Sequence, residues 1–242
     1  MPPPPPLPPD SIYTSCYCEE NVYLLCRTFL ETPSVVELWE IFAVFISNAN
    51  KTVALWSQKA ARSPGTPVVW DYHVILIIRP RRKEQTMEAE GSKMHSWVYD
   101  FDTTLGLPRS WEEYFSLTFP EDPLPAYEGC AVCFHGRPKM LMKSGSQFRV
   151  VGGEFFVQNF ASDRSHMLKT TEFTGTKGPE PGIYLSPPPS YAPICGPSAV
   201  QKGIANNLMQ RYVTMSTAVN SDFAVYGVVL DNESANAFFA GL

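Results

Sequence analysis

The sequence lacks a long hydrophobic run. Its most apolar stretch, Leu38–Ile46, is interrupted by Glu40 and followed by Asn48, which falls short of the roughly 20 apolar residues that a transmembrane helix needs. The first nine residues, MPPPPPLPP, contain neither the basic nor the apolar region of a secretory signal. We therefore expect no membrane span and no export, and a cytoplasmic location with the nucleus as a second compartment.

Charged residues are scarce, at 18% of the chain, and they carry no positive excess. The 19 Lys and Arg residues are outnumbered by 24 Asp and Glu residues, for a formal net charge of −5. Binding to nucleic acid or to an anionic membrane depends on clustered positive charge, so neither is expected as a partner. Because 44% of the 242 residues are apolar, the chain can bury a sizeable core.

The sequence also lacks the paired cysteines of a structural zinc site. Cys130 and Cys133 have ligand-like spacing and His135 is close, but no second pair of this spacing exists among the six cysteines. A buried strand carrying two small thiols is the favoured interpretation of Cys130 and Cys133. In an intracellular chain, the other cysteines are expected to be free thiols or catalytic groups. We expect no metal and no cofactor.

Proline is abundant and unevenly distributed. Seven of the 23 prolines lie in the first nine residues, and another seven lie between Pro179 and Pro197. We predict a disordered, exposed polyproline II tail over 1–11 and a single catalytic domain over 12–242. Within that domain, loops near 80–94 and 170–203 are expected to be mobile, and the second is predicted to be long and irregular.

The first predicted helix begins around Cys16 to Cys18 and ends before Pro33. Apolar residues recur there at helical spacing, at Val22, Leu25, Cys26 and Phe29. Thr14 or Ser15 is the predicted cap. Next, Ala43–Ser47 and Thr52–Trp56 predict a β-hairpin.

A longer strand is predicted over Val68–Arg79, with Val68, Trp70, Tyr72 and Val74 on one face and His73 on the other. A partner strand covers Ser96–Thr103. In an antiparallel register that pairs His73 with Asp100, the midpoint between paired residues falls in the middle of the loop that connects the two strands. A register slipped by two, with His73 opposite Asp102, fits nearly as well. The strand pattern places His73 near an aspartate without choosing which one.

Cys18, His73 and Asp100 match the three groups of a cysteine nucleophile site. A helix N-terminus lowers the pKa of a thiol, a histidine takes its proton, and a carboxylate orients the histidine. The order of nucleophile, base and orienting acid is that of papain-like and transglutaminase-like sites. We therefore predict an α+β fold, with a mainly antiparallel sheet flanked by helices in a papain-like or transglutaminase-like arrangement.

Four segments resemble the signature motifs of the WDYHV-motif family of protein N-terminal glutamine amidohydrolases. They are Ser15–Asn21 (SCYCEEN), Trp70–Val74 (WDYHV), Tyr99–Thr103 (YDFDT) and Asn159–Met167 (NFASDRSHM). Weaker similarity extends from Tyr13 to Tyr226. The chain departs from the family in two longer segments, Pro80–Met94 and Thr170–Gly203.

The resemblance implies hydrolysis of the side-chain amide of an N-terminal glutamine to glutamate and ammonia, through a γ-glutamyl thioester. It places the catalytic cysteine at Cys18, the histidine at His73 and the aspartate at Asp100. The product is a substrate for arginyl transfer in the N-degron pathway, so hand-off to an arginyl-transferase is expected. The enzyme is expected to be a monomer.

Selection of an N-terminal residue requires a group that binds the free α-ammonium, such as a carboxylate. Glu19, Glu20 and Asp163 are the candidates, and the sequence does not separate them. The two glutamates are equally explained as helix-dipole partners, and Asp163 as a loop cap or a partner for Arg164. His166 is either a second site histidine or a structural hydrogen-bonding group.

Three other functions fit parts of the sequence. A cysteine protease or a transglutaminase would use the same three groups. A scaffold protein would use the proline tail to recruit SH3, EVH1 or profilin-type partners. The basic cluster Arg79–Lys83 fits a nuclear-localisation signal, although a solvated loop balanced by Glu84, Glu88 and Glu90 is favoured.

Overall fold

The computed structural model describes residues 3–81, 95–120, 131–134, 137–140, 145–170, 179–216 and 226–240. The α-helices are α1 (Cys18–Leu30), α2 (Pro33–Leu38), α3 (Trp111–Thr118), α4 (Gly153–Asn159), α5 (Pro197–Gln201) and α6 (Asn232–Ala240). The first strands are β1 (Trp39–Ser47), β2 (Val53–Leu55), β3 (Val68–Trp70), β4 (His73–Pro80), β5 (Trp97–Tyr99) and β6 (Arg109–Ser110). The later strands are β7 (Ala131–Phe134), β8 (Arg137–Met140), β9 (Gln147–Gly152), β10 (Leu168–Thr170), β11 (Pro179–Tyr184) and β12 (Val228–Leu230). A 3₁₀ turn (Ser165–Met167) and a π-helical segment (Leu208–Val213) complete the described structure.

A six-stranded sheet of order β12-β9-β1-β4-β5-β6 forms the centre of the molecule, and every neighbouring pair in it is antiparallel. Helices lie on both faces. The predicted α+β class and mainly antiparallel sheet are therefore confirmed. None of the helices in the described part of the chain has the length and apolar character that crossing a bilayer requires.

The sheet separates two apolar cores because successive side chains of a strand point to opposite faces. On one face, Phe45 and Val74 pack with residues of α1, α4 and the π-helical segment. On the other face, Val44 and Ile75 pack with residues of α3 and α6. Burial on both faces explains why β1 and β4 are apolar along most of their length.

The predicted hairpin between Ala43–Ser47 and Thr52–Trp56 is wrong. β1 pairs with β4 on one edge and β9 on the other, so it has no free edge for β2. Strand β2 instead pairs with β3 in a separate two-stranded sheet. The turn between β1 and β2 is held by Asn48, whose side chain accepts a hydrogen bond from the Thr52 N–H and donates one to the Thr52 carbonyl.

The long strand predicted over Val68–Arg79 is divided in two at Asp71 and Tyr72. The Asp71 carbonyl accepts a hydrogen bond from the Ser47 hydroxyl at 2.6 Å, and the alternation of faces changes there. Val68 and Trp70 consequently pack in the core opposite to that of Tyr72 and Val74, which corrects the predicted single face.

Two proline-rich regions are more ordered than the sequence suggests. In the tail, Leu7 packs against the core on the α1 face, and the Pro5 carbonyl accepts a hydrogen bond from Tyr99, so the tail is not fully exposed. The predicted irregular loop over 170–203 contains β11 and α5. Residues 82–94 and 171–178, Cys130, His135 and the side chain of Cys133 lie outside the described residues.

Phe156 tests the packing of the α1-side core. Its ring contacts four other aromatic rings, those of Tyr23, Phe45, Phe160 and Tyr212. We expect Phe156→Ala to lower the free energy of unfolding by about 3–5 kcal/mol because it leaves a cavity. The adjacent Phe155 is 43% exposed, so Phe155→Ala is the matched control, with a loss of about 1 kcal/mol or less. Equal losses in urea unfolding would contradict the described core.

Candidate active site

Cys18 is the first residue of α1 and is largely buried, with 9% of its surface exposed. The backbone enters the helix through Cys16, which adopts a left-handed conformation with φ of 69°. The predicted cap by Thr14 or Ser15 is absent at this helix, where no side chain caps the N-terminus. Instead, the Asn21 side chain exchanges two hydrogen bonds with the backbone of Thr14.

His73 and Asp100 form a buried pair. His73 Nε2 lies 2.8 Å from Asp100 Oδ1, and the two residues are 1% and 0% exposed. His73 begins β4, whereas Asp100 follows the last residue of β5. The register between these strands pairs Leu76 with Tyr99. This is the second of the two predicted registers, the one that sets His73 opposite Asp102. The contact with Asp100 is made because the chain turns directly after β5.

Asp100 is held by further donors that come from separate parts of the chain. Gln58 Nε2 and the Tyr114 hydroxyl donate to Oδ2 at 3.1 and 2.9 Å, and the Asp102 N–H donates to Oδ1 at 2.9 Å. The sequence reasoning missed Gln58 and Tyr114. No local pattern marks them, since Gln58 follows β2 and Tyr114 lies on α3 like any other buried tyrosine.

The second ring nitrogen of His73 is not used in the contact with Asp100. Nδ1 is buried and has no hydrogen-bond partner among the described residues, and the ring stacks on Trp70 with centroids 5.5 Å apart. Helix α1 packs directly against β4. The Val74 N–H, one residue from His73, forms a hydrogen bond that stabilises the Cys18 thiolate, so the sulfur lies beside the start of β4.

The electrostatic surroundings of Cys18 differ from the expectation. Burial and the negative charges of Glu19, Asp102 and Asp71 raise the pKa of Cys18 well above its usual value, and the Val74 N–H opposes this only in part. The predicted lowering of the thiol pKa at the helix N-terminus is therefore wrong for this surrounding. These surroundings favour the thiol form of Cys18 over the thiolate.

In the buried His73–Asp100 pair, by contrast, the two residues stabilise each other's charged forms. Burial disfavours the charged form of His73, but the charge and hydrogen bond of Asp100 outweigh it and raise the pKa of His73. Burial likewise disfavours the charged form of Asp100, but the charge of His73 and the hydrogen bonds of His73 and Gln58 lower the pKa of Asp100. Asp100 therefore stays ionised and favours proton uptake by His73.

Glu19 is fully buried next to the nucleophile, and its Oε2 lies 3.7 Å from Cys18 Sγ. The same oxygen accepts a hydrogen bond from the Tyr72 hydroxyl at 3.0 Å. His166 Nε2 lies 3.1 Å from that hydroxyl and 3.4 Å from Glu19 Oε1. The structure thus brings His166 into the site, and the Tyr72 hydroxyl links it to Glu19.

The other two carboxylate candidates already have strong partners. Glu20 is fully buried and forms a bidentate ion pair with Arg164, at 2.7 and 2.8 Å. Asp163 is exposed and accepts hydrogen bonds from the Ser165 N–H and from the Asn206 amide. Asp163 is therefore a loop cap in the described structure, and its expected pairing with Arg164 is replaced by the Glu20 pair.

His73, Asp100 and Asp102 also form a group whose ligand-type atoms lie within 4.8 Å of one another. Their facing atoms are engaged with one another and with the protein. His73 Nε2 bonds Asp100 Oδ1, and the Tyr13 hydroxyl donates to Asp102 Oδ1 at 2.6 Å. This arrangement favours a proton-transfer network over a cation site.

Comparison with known proteins places the chain in a family. The family model described as N-terminal glutamine amidase matches residues 13–239. The protein N-terminal glutamine amidohydrolase of Danio rerio is 36% identical over 180 residues, which cover 74% of this chain and 70% of the relative. That of Drosophila ananassae is 36% identical over 185 residues, covering 76% and 72%. The chain therefore belongs to the N-terminal glutamine amidase family, whose members are hydrolases of an amide C–N bond.

Proposed function

We propose that the protein hydrolyses the side-chain amide of an N-terminal glutamine in proteins and peptides, giving N-terminal glutamate and ammonia. The observation that carries the proposal is the buried Cys18 at the start of α1, beside the His73–Asp100 pair, in a chain of the N-terminal glutamine amidase family. The three residues act as nucleophile, base and orienting acid.

Activation of the nucleophile begins with a neutral thiol. Asp100 accepts the hydrogen bond from His73 Nε2–H, which leaves Nδ1 as the proton acceptor. His73 takes the proton of Cys18 as the sulfur attacks the γ-carboxamide carbon, and Asp100 stabilises the imidazolium that forms. Trp70 stacks on the imidazole and limits its rotation.

The attack forms a tetrahedral intermediate with a negative oxygen. The Glu20 and Asn21 N–H groups donate to the Tyr17 carbonyl, so the donors for the oxyanion are the N–H groups of Cys18 and Glu19 at the start of α1. Removing one oxyanion donor typically costs about 10²–10³-fold in rate. The intermediate collapses to a γ-glutamyl thioester as the imidazolium gives its proton to the departing ammonia.

Hydrolysis of the thioester completes the reaction. His73 takes a proton from a water molecule, the resulting hydroxide attacks the thioester carbon, and the released Cys18 thiolate recovers a proton from His73. One amide C–N bond is broken and one water is consumed for each ammonia released. The chain needs no cofactor for these steps in this proposal.

We also propose the type of fold arrangement, the fate of the product and the cellular location of the enzyme. The nucleophile at a helix start, with its base and acid at neighbouring strand ends, corresponds to a papain-like or transglutaminase-like arrangement. The product glutamate is suited to arginyl transfer in the N-degron pathway. In this proposal the enzyme acts as a monomer in the cytoplasm and the nucleus.

The reaction is tested by mass spectrometry of a peptide panel. We expect wild type to convert a Gln-initiated peptide to the corresponding acid, a mass increase of about one dalton since NH₂ is replaced by OH. Cys18→Ala should abolish the conversion, because no other group in the proposal forms the thioester. Circular dichroism of the variant controls for folding.

The same panel separates the competing activities. An internal-Gln peptide and an N-acetylated Gln peptide should stay unchanged, and no backbone cleavage and no cross-linked product should appear. Cleavage would indicate a protease, cross-linking to an added amine would indicate a transglutaminase, and full activity of Cys18→Ala would remove the proposed nucleophile.

The role of Asp100 is tested by the pH dependence of kcat/KM. The Asp100 charge raises the pKa of His73, so Asp100→Asn should lower it and move the acid limb of the profile to lower pH. The rate should also fall by about 10³–10⁴-fold because the tautomer of His73 is no longer held. Steady-state ammonia release between pH 5 and pH 9 measures both effects.

Asp102→Asn is the matched comparison, since Asp102 Oδ1 accepts its hydrogen bond from Tyr13 and not from His73. It should reduce the rate less than Asp100→Asn and produce a smaller shift of the acid limb. A larger effect at Asp102 would show that Asp102, and not Asp100, is the acid that orients His73.

A further inference from the structure

Glu19 is a buried carboxylate whose charge is incompletely compensated. It is fully buried, and its Oε1 has no hydrogen-bond partner among the described residues. A buried ionised carboxylate is costly unless hydrogen bonds and an opposite charge compensate it. Its neighbour Glu20 has such a partner in Arg164, whereas the cationic group described next to Glu19 is His166, at 3.4 Å.

His166 does not serve Glu19 as a permanent cation. Its Nε2 is shared between Glu19 Oε1 and the Tyr72 hydroxyl, which is the closer of the two at 3.1 Å. Burial disfavours its charged form, although the facing Glu19 carboxylate, 3.4 Å away, and the charges of Asp71 and Glu20 raise the pKa of His166 overall. An imidazole loses its charge within the physiological pH range far more readily than a guanidinium does.

Further negative charge surrounds the Cys18 sulfur, next to Glu19. Glu19, Asp102 and Asp71 each make the potential at Cys18 more negative. Such a field opposes formation of a thiolate, yet it favours a positively charged group next to Cys18. The site is thus better suited to a substrate that brings its own positive charge.

We propose that Glu19 binds the α-ammonium group of the N-terminal glutamine and thereby selects for a free N-terminus. This inference rests on the proposed deamidation and names the residue that recognises its substrate. Tyr72 acts as a positioning residue, because its hydroxyl bonds Oε2 and leaves Oε1 for the ammonium.

The distances permit one glutamine side chain to reach both groups. Its amino nitrogen and γ-carboxamide carbon are four bonds apart, about 5 Å when extended. An attacking sulfur sits about 3–3.5 Å from that carbon, and an ammonium lies about 2.8 Å from a carboxylate oxygen. These lengths are compatible with a glutamine that spans Cys18 Sγ and the Glu19 carboxylate, whose Oε2 lies 3.7 Å from the sulfur and whose Oε1 is the free oxygen of the same group.

The other two candidates fit this role less well. Both carboxylate oxygens of Glu20 bond the guanidinium of Arg164, which also donates to the carbonyls of Pro189 and Tyr191. Recruiting Glu20 would break a buried ion pair. Asp163 is exposed, so solvent would screen its attraction for an ammonium.

Binding of the substrate would also assist the chemistry. The ammonium neutralises Glu19, which is the leading charge that raises the pKa of Cys18. Glu19 also raises the pKa of His73, but it is the first charge acting on Cys18 and only the last of the charges acting on His73. Its neutralisation therefore favours proton transfer from Cys18 to His73 in the complex. Acetylation of the substrate removes the positive charge, so both binding and this assistance are lost.

A pair of peptides that differ only in the α-amine isolates the role of Glu19. One begins with glutamine, and the other begins with 4-carbamoylbutanoyl, which keeps the side-chain amide but replaces the amine with hydrogen. We expect Glu19→Gln to lower kcat/KM for the first peptide by about 30-fold or more, the loss typical of removing one member of a buried charge pair. The second peptide has no ammonium to lose and should not show this fall, since removal of the Glu19 charge also lowers the pKa of Cys18. The ratio of the two kcat/KM values, which measures the preference for the amine, should therefore collapse.

Two variants keep this result interpretable. Glu19→Asp retains the charge on a shorter side chain and should recover part of the preference. Asp163→Asn removes an exposed carboxylate and should leave the preference unchanged. If Glu19→Gln unfolds, as judged by circular dichroism, Glu19→Asp and binding of the two peptides to Cys18→Ala, which retains Glu19, provide the test.

The outcomes separate the inference from the proposed function. An equal loss for both peptides in Glu19→Gln would indicate a structural role for Glu19 and overturn the inference, as would equal affinity of Cys18→Ala for the two peptides. If wild type converts both peptides at similar rates, the enzyme deamidates without reading the amine, and only the inference is wrong. If wild type converts neither, the proposed function itself fails.

Discussion

The site depends on the compensation of one buried charge, the carboxylate of Asp100. An ionised group with no exposed surface must be compensated by hydrogen bonds or an opposite charge, and Asp100 receives donors from His73, Gln58, Tyr114 and the backbone of Asp102. These donors belong to the start of β4, the segment after β2, helix α3 and the turn after β5. Satisfying one carboxylate therefore joins four parts of the fold.

The sheet supplies the rigid support for this arrangement. β4 lies between β1 and β5 in the six-stranded sheet, and α1 packs against β4, so Cys18 and His73 are held by two buried elements. The negative surroundings of the sulfur are not optimal for a permanently ionised nucleophile. They agree instead with an enzyme that keeps its thiol protonated until a cationic substrate arrives.

The features that the sequence predicted well are local. The helix predicted to begin around Cys16 to Cys18 follows from apolar spacing and from early acidic residues. The β-rich run over Val68–Arg79 correctly predicts extended structure there, although the structure divides it into β3 and β4. The wrong predictions concern pairing. The hairpin from β1 to β2 failed because β4 and β9 occupy both edges of β1, which no local pattern reveals.

The sequence by itself determined the family, the three residues proposed for catalysis and the elements that carry them, because motifs and periodicity are properties of short segments. Only the tertiary structure distinguished Glu19 from Glu20 and Asp163. Burial, the Arg164 ion pair and the Asn206 contact involve residues more than 40 positions apart in the chain. Charge compensation is a matter of distance in space, so the fold alone shows which of three similar carboxylates lacks a permanent partner.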